Sequence, residues 1–313
     1  MTSQFPAETS ATGAFVRQKY QFQGRFSRDG NTPFPAEAGR YRLYVSLACP
    51  WAHRAVIVRG LLGLEDTIGM AVVDPVRDER GWALRDGPGH SRDGVCGFEF
   101  LSEAYLRTDP GYQGRYTVPC IWDTVTEQLV TNNYPDITLD FETQFVDFHK
   151  PGAPDLYPEA LRPEIDALNE VIYTDVNDGV YKAGFAASQA PYEEAVTRLF
   201  ARLDALEEHL ADRRYLVGGQ LTEADIRLFT TLVRFDAVYV GHFKCNLRRL
   251  VDYPNLWGYA RDLYQRPGFR ETVNFDHIKR HYYMTHERLN PSGVVPLGPL
   301  TDWDAPHSRA ELP

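Results

Sequence analysis

The chain has 313 residues, 43% of them hydrophobic and 24% charged, which is typical of a folded protein long enough for two hydrophobic cores. Its 43 acidic and 33 basic side chains give a formal net charge of −10, and this argues against a nucleic-acid partner. No apolar run of membrane-spanning length and no segment of signal-peptide type occurs, so we expect no membrane partner and a cytoplasmic location. The four cysteines form no CxxC pair, which favours free thiols over a disulfide framework or a metal site.

The first half of the chain has the pattern of a small α/β domain. An extended arm without helical or strand periodicity precedes a β-α-β unit, a long insertion that carries a helix, a pair of strands and a closing helix. The corresponding residues are 1–39 for the arm, 41–46, 52–62 and 68–73 for the β-α-β unit, 75–115 for the insertion with its helix at 98–106, 117–123 and 128–131 for the strands, and 135–141 for the last helix.

The second half contains long amphipathic segments and no convincing strand alternation. We predict helices at 163–176, 191–210, 223–239 and 256–265. The predicted organisation is the arm, an α/β domain over 40–150, an all-helical domain over 155–289 and an irregular, proline-rich tail over 290–313. This is an α+β domain followed by an all-α domain.

Cys49 is the candidate nucleophile, since it lies where the first strand enters the first helix, in the segment Cys49-Pro50-Trp51-Ala52. A cysteine in this position faces the unpaired N–H groups and the positive end of the helix dipole, and both favour the thiolate. The alternative interpretation is that Cys49 is an unreactive buried cysteine. Because no second cysteine stands at the CxxC spacing, an attack by Cys49 gives a mixed disulfide with an external thiol.

The dipeptide Val118-Pro119 has two interpretations. It could simply mark an edge strand, or it could be the cis proline that faces the cysteine of a thioredoxin-like domain. Its pairing with the Cys49 segment favours the second interpretation. Cys120, one residue further on, is expected to be a core residue.

Other polar motifs are weaker. Thr222 and Asp225 have the spacing of a capping box and are interpreted as structural. Most of the 18 tyrosines must be ordinary packing residues, and Tyr181 and Tyr282-Tyr283 stand in distinctive segments. Three histidines near the C-terminus lack a ligand set for a metal and are expected to be solvated or capping residues, namely His277, His281 and His286.

Together these segments resemble the glutathionyl-hydroquinone reductases, the Xi class of glutathione transferases, also called omega-like or ECM4-type. The resemblance covers about residues 15–298 and rests on Cys49-Pro50-Trp51-Ala52-His53-Arg54, Gly81-Trp82, Thr117-Val118-Pro119, residues 177–185, residues 221–227 and His281-Tyr282-Tyr283. It implies a thioredoxin-like domain, an all-helical transferase domain and a homodimer. It also implies an enzyme that removes glutathione from an aromatic hydroquinone thioether.

The resemblance also assigns roles to residues. Cys49 attacks the sulfur of the conjugate, while Tyr181 and Tyr282 hold the hydroquinone oxygens. Substrate-binding positions are Tyr239 and Tyr283, and thiol-binding positions are Trp51, Trp82, Arg115, Val118, Pro119, Asn133 and Tyr134. A free thiol is the co-substrate, and no metal is implied.

One departure concerns the identity of that thiol. The family reads Asn-Glu-Ser after the hairpin, where the Glu-Ser pair binds the γ-glutamyl arm, and this chain has Asn132-Asn133-Tyr134. Loss of one charged hydrogen-bond partner costs about 1.5–3 kcal/mol, or roughly ten- to a hundredfold in affinity. We therefore hypothesise that mycothiol, which has no γ-glutamyl group, is the alternative to glutathione.

Two other functions remain open at this stage. A lone cysteine also serves a general thiol transferase or a dehydroascorbate-type reductase, although the tyrosines and the 75–115 insertion favour the hydroquinone conjugates. The altered Glu-Ser register is also compatible with a non-catalytic ligand-binding protein.

Overall fold

The computed structural model describes residues 5–313, so the first four residues of the predicted arm lie outside the described part of the chain. The described residues divide into two compact units. The sheet unit comprises residues 19–155 and 272–281, and the helical unit comprises residues 5–18, 156–271 and 282–313.

A four-stranded mixed sheet organises the sheet unit, with the strand order β4-β3-β5-β6. Strand β3 pairs in parallel with β4 and antiparallel with β5, and β5 pairs antiparallel with β6. The strands are β3 (Tyr41–Val45), β4 (Ile68–Val72), β5 (Cys120–Asp123) and β6 (Gln128–Thr131), and the arm adds a two-residue parallel pair, β1 (Phe26–Ser27) with β2 (Phe34–Pro35). This arrangement confirms the predicted α/β domain.

Three helices complete this unit: α1 (Pro50–Leu62), α2 (Leu101–Thr108) and α3 (Tyr134–Thr143). Helix α1 begins at Pro50, two residues before the predicted start, because a proline needs no N–H partner in the first turn. It ends at Gly63, whose φ of 75° lets its N–H reach the carbonyls of Arg59 and Gly60. Helix α2 lies within the 75–115 insertion, and Leu101, Ala104 and Tyr105 bury its apolar face in the same core as β5.

The predicted strand 117–123 is shorter than expected, since β5 begins only at Cys120. The peptide bond before Pro119 is cis, and the chain turns there before it enters the sheet. Cys120 is fully buried in the core, as expected.

The helical unit is built around α7 (Glu223–Arg234), whose residues are all buried. Two predicted helices continue as π-helical turns, at Tyr173–Asn177 and Phe235–Tyr239. The α-helices are α4 (Arg162–Ile172), α5 (Gly179–Gly184), α6 (Gln189–His209), α7 (Glu223–Arg234) and α8 (Pro254–Tyr264).

Asp225 has the structural role that the capping-box spacing predicts. Its carboxylate accepts hydrogen bonds from the N–H of Thr222 at 2.8 Å, the N–H of Leu216 at 2.9 Å and the hydroxyl of Tyr259 at 2.8 Å. Burial raises the pKa of this carboxyl group, and the donors oppose that effect. The residue thus fixes the start of α7.

A ninth helix, α9 (Phe275–Thr285), was not predicted, because five of its eleven residues are charged or histidine and only Ile278 and Met284 are aliphatic. Its residues up to His281 belong to the sheet unit, and those from Tyr282 onward belong to the helical unit. Beyond it the chain is irregular except for a short 3₁₀ turn at Arg309–Glu311. Over residues 5–313, no helix has both the length and the apolar character needed to span a bilayer.

Candidate active site

Cys49 lies at the N-cap of α1, at the point where the chain leaves β3. The residue is half-buried, and its thiol donates to the backbone carbonyl of Val118 at a Sγ–O distance of 3.4 Å. Val118 is the residue before cis-Pro119, so the cysteine and the proline segment are adjacent, as predicted. The N–H groups of the first turn of α1 have no partner within the helix, which makes this end a favourable place for a thiolate.

Trp51 and Tyr134 form an aromatic stack immediately after the cysteine. Their ring centroids are 4.6 Å apart with an interplanar angle of 30°, and both rings are buried. The guanidinium of Arg54 lies over both of them, at 4.8 Å and 5.3 Å from the ring centroids. Arg54 is 1% exposed, so its charge acts on the stack with little screening by water. Tyr134 is therefore a buried residue that packs against the first turn of α1.

Asn133 is the N-cap of α3 and is partly exposed. Its side-chain N–H donates to the carboxylate of Asp136 at 2.7 Å, while Asp136 lies 3.4 Å from Arg25. Asn132 is buried and donates to the hydroxyl of Thr117 at 3.3 Å. The register that the family uses for a Glu-Ser pair thus holds a neutral amide and a buried phenol.

Trp82 lies in the core cluster that also contains Val118 and against which Cys49 packs. Its ring stacks on His281 at 4.9 Å, and the ring of His281 is fixed by a 2.8 Å contact with the carbonyl of Pro75. The indole N–H of Trp82 is buried and has no hydrogen-bond partner among the described residues, so it is a donor available to a ligand. Arg115 is partly exposed, and its carbonyl accepts the Tyr112 hydroxyl at 2.8 Å.

Three phenols meet inside the helical unit. The hydroxyl of Tyr282 is 2.5 Å from that of Tyr181 and 3.2 Å from that of Tyr239. All three side chains are buried. Burial raises the pKa of Tyr282 well above its ordinary value, and the neighbouring phenols add to this effect. Tyr282 is consequently a neutral O–H group that donates hydrogen bonds.

Tyr283 is not part of this network. Its hydroxyl donates to the carbonyl of Ala237 at 3.4 Å, and its ring lies 4.8 Å from that of His242. The residue is half-buried.

The expectation of solvated or capping histidines was wrong. His277, His281 and His286 are all buried. A ring nitrogen of His277 is 2.7 Å from the carbonyl of Pro88, and His286 is 3.1 Å from His242. Among residues 5–313, no group of three or more potential ligand side chains could hold a metal ion.

Three charged residues that contact these aromatic side chains were not predicted from the sequence. Arg17 of the arm lies over the ring of Tyr181 at 5.0 Å and pairs with Asp178 at 2.6 Å, and Arg54 covers the Trp51–Tyr134 stack. Arg54 follows Cys49 within the recognised motif, so a charge five residues after the nucleophile was a usable signal. Arg17 lies in a segment without periodicity and gave no such signal.

Comparisons with known proteins agree with this geometry. Residues 189–262 match the family model described as glutathione S-transferase, C-terminal domain. The chain is 51% identical over 310 residues to the glutathionyl-hydroquinone reductase YqjG of Escherichia coli, covering 96% of this chain and 94% of that protein.

Solved structures extend the likeness to the fold. A Xi class glutathione transferase from Natrialba magadii is 49% identical with a TM-score of 0.91, covering 93% of this chain and 89% of that one. The glutathione-bound structure of YqjG from E. coli is 50% identical with a TM-score of 0.88, covering 92% and 96%. The resemblance seen in the sequence is confirmed, and the chain belongs to the glutathionyl-hydroquinone reductases, the Xi class of glutathione transferases.

Proposed function

We propose that this protein is a thiol-dependent reductase that removes a low-molecular-weight thiol from thioether-conjugated hydroquinones through a mixed disulfide on Cys49. The observation that carries the proposal is the placement of one half-buried cysteine at the start of α1, 3.4 Å from the carbonyl before cis-Pro119. No other cysteine stands at the CxxC spacing, so the resolving thiol must come from solution.

The chemistry balances in two steps. The Cys49 thiolate attacks the sulfur of the conjugate, an S–S bond forms, and the carbon–sulfur electron pair stays on the ring carbon, which takes a proton. A second thiol molecule then attacks the mixed disulfide and releases a symmetrical disulfide together with the Cys49 thiolate. The net change is one thioether and one thiol converted into one hydroquinone and one disulfide, so the thiol is oxidised and the aromatic carbon is reduced.

The phenol cluster suits the ring part of the substrate. In this proposal Tyr181 and Tyr282 donate hydrogen bonds to the hydroquinone oxygens, where negative charge develops as the carbon–sulfur bond breaks. The raised pKa of Tyr282 supports a role as donor and argues against a role as base. Tyr239, which bonds Tyr282 at 3.2 Å, and Tyr283 are the proposed substrate-binding neighbours.

The thiol body is assigned to the sheet unit. We assign Val118 and Pro119 to the backbone contact with the thiol, the free indole N–H of Trp82 to a polar group on it, and Arg115 to its charged or hydroxylated end. The remaining side of the proposed thiol-binding site is formed by Trp51, Asn133 and Tyr134. All these positions follow the family resemblance, and the contacts around Cys49 support them.

The finer proposal concerns which thiol is used. A γ-glutamyl ammonium group requires an acceptor of negative charge. The carboxylate of Asp136, beside Asn133, already contacts Asn133 and Arg25. The buried Trp51–Tyr134 stack with Arg54 beside this register contributes no negative charge for an ammonium group, which favours a thiol without a γ-glutamyl arm, such as mycothiol. We therefore keep mycothiol as the candidate beside glutathione.

The deciding experiment uses two conjugates of the same hydroquinone, one with each thiol, each assayed with its own free thiol. Turnover of either conjugate, with a mass increase of Cys49 equal to the thiol, supports the reductase. A Cys49→Ala variant with full turnover would refute the mechanism. Reduction of simple disulfides without turnover of either conjugate would favour the general thiol transferase.

Two further properties remain proposals. The family resemblance suggests a homodimer, which sedimentation analysis of the full chain tests directly. A free catalytic thiol works best in a reducing compartment, and this supports a cytoplasmic location.

A further inference from the structure

Arg17 of the N-terminal arm lies against the phenol cluster in the helical unit. Its guanidinium carbon is 5.0 Å from the ring centroid of Tyr181. Two of its nitrogens also donate to one oxygen of Asp178, at 2.8 Å and 2.6 Å. The arginine side chain is 14% exposed and that of Asp178 is 7% exposed, so the pair is largely removed from water.

Arg17, Asp178 and Tyr181 are linked by direct contacts. Asp178 begins the turn that carries Tyr181, and the Tyr181 N–H donates to the Asp178 carbonyl at 3.0 Å. The carboxylate that anchors Arg17 therefore belongs to the same turn as the phenol that Arg17 covers. Lys182 also approaches this carboxylate, at 3.7 Å, but its side chain is 37% exposed.

The arm also makes contacts that do not involve Arg17. The Val16 N–H donates to the Glu8 carbonyl at 2.7 Å, the Gln18 N–H donates to the Glu8 carboxylate at 2.7 Å, and the Ser188 hydroxyl donates to the Thr12 carbonyl at 2.6 Å. These contacts hold the chain on both sides of Arg17.

A cation on the face of a phenol withdraws electron density from the ring and makes its O–H a stronger hydrogen-bond donor. Tyr181 already donates to or accepts from Tyr282 at 2.5 Å, so a change at Tyr181 also affects the cluster. We propose that Arg17 is a positioning residue of the reductase: it fixes the Tyr181 ring through Asp178 and strengthens the Tyr181 hydroxyl as a donor to the hydroquinone oxygen. This inference rests on the proposed function and adds the arm to its machinery.

The test compares three variants of the full-length protein. Arg17→Gln removes the charge, and Arg17→Lys keeps the charge while losing the planar fork. Arg248→Gln is the matched control, because Arg248 also lies over a tyrosine, Tyr253 at 4.7 Å, and pairs with Asp204 at 2.7 Å in the same unit. Each variant is assayed with the quinol conjugate that the wild type turns over best and with bis(2-hydroxyethyl) disulfide, which has no ring to hold.

We expect Arg17→Gln to lower kcat for the conjugate by about threefold to thirtyfold with little change in KM, since the lost interaction acts as charge develops. Arg17→Lys should recover part of this loss, and Arg248→Gln should match the wild type. Disulfide exchange at Cys49 should stay at the wild-type rate in all three variants.

Two results would overturn the inference: an unchanged kcat for Arg17→Gln, or equal losses in the conjugate and disulfide assays, which would indicate general damage to the fold. Failure of the proposed function is distinguishable, because the wild type itself would then leave the conjugate intact.

Discussion

Replacing Asn133 by Glu and Tyr134 by Ser should shift this protein towards glutathione. The double substitution restores the Glu-Ser pair that the family uses for the γ-glutamyl arm. Regaining one charged hydrogen-bond partner is worth about 1.5–3 kcal/mol, so kcat/KM for the glutathione conjugate should rise roughly ten- to a hundredfold. The value for the mycothiol conjugate should fall, because the stack with Trp51 is lost.

The structure also sets the cost of this change. The Tyr134 ring is 3% exposed, stacked on Trp51 at 4.6 Å and met edge-on by Tyr20 at 5.3 Å. Deleting a buried aromatic side chain costs about 3–5 kcal/mol of unfolding free energy. The double variant should therefore unfold at a clearly lower urea concentration than the wild type. Its activity should be assayed at low temperature, where it remains folded.

Two single variants separate selectivity from stability. Asn133→Glu keeps the aromatic stack and should gain part of the glutathione turnover. It loses the hydrogen bond from Asn133 to the Asp136 carboxylate, so its unfolding free energy should fall by about 1.5–3 kcal/mol. Tyr134→Phe keeps the ring and should retain the wild-type ratio of the two kcat/KM values. If both Asn133→Glu and the double variant keep that wild-type ratio, this register does not select the thiol and the reasoning is refuted.

Three further predictions concern the helical unit. Tyr282→Phe should lower the unfolding free energy by about 1–2 kcal/mol, because the hydroxyls of Tyr181 and Tyr239 lose a hydrogen-bond partner. It should also reduce turnover of the conjugate and leave disulfide exchange unchanged. An equal loss of activity in both assays would contradict this prediction. Burial lowers the pKa of His242 to about 4, so this residue binds its proton more readily in the unfolded chain. The free energy of unfolding should therefore fall by up to about 3 kcal/mol as the pH drops from about 6.5 to 4. His242→Gln should reduce this slope in urea titrations, while His277 and His307, whose pKa values are also lowered by burial, keep part of it. An unchanged slope would exclude His242 as its source. Arg309→Met should lower the unfolding free energy by about 2–4 kcal/mol, because the buried guanidinium donates to the Leu210 carbonyl at 2.6 Å. A urea midpoint equal to that of the wild type would show that the tail is not anchored there.

The sequence identified the parts whose chemistry is local. Cys49 at a strand-to-helix junction, the proline at 119 and the Thr222–Asp225 box each depend on a few consecutive residues, and the structure has all three in the predicted form. Helix α9 escaped prediction for the opposite reason. Its histidines are buried against carbonyls of distant segments, at Pro88 and Pro75, and no local period indicates that environment.

The charged partners of the aromatic residues were the least predictable part of the site. Arg17 and Asp178 are separated by 161 positions, and the arm that carries Arg17 has neither helical nor strand periodicity. A cation–π contact imposes no spacing rule, since any loop that brings a guanidinium within about 6 Å of a ring satisfies it. Arg54 differs, because the helix that presents Cys49 also fixes where its side chain lies, one turn below Trp51. Helix geometry thus made one of the two cations recoverable from sequence, whereas the other depended on the path of the arm.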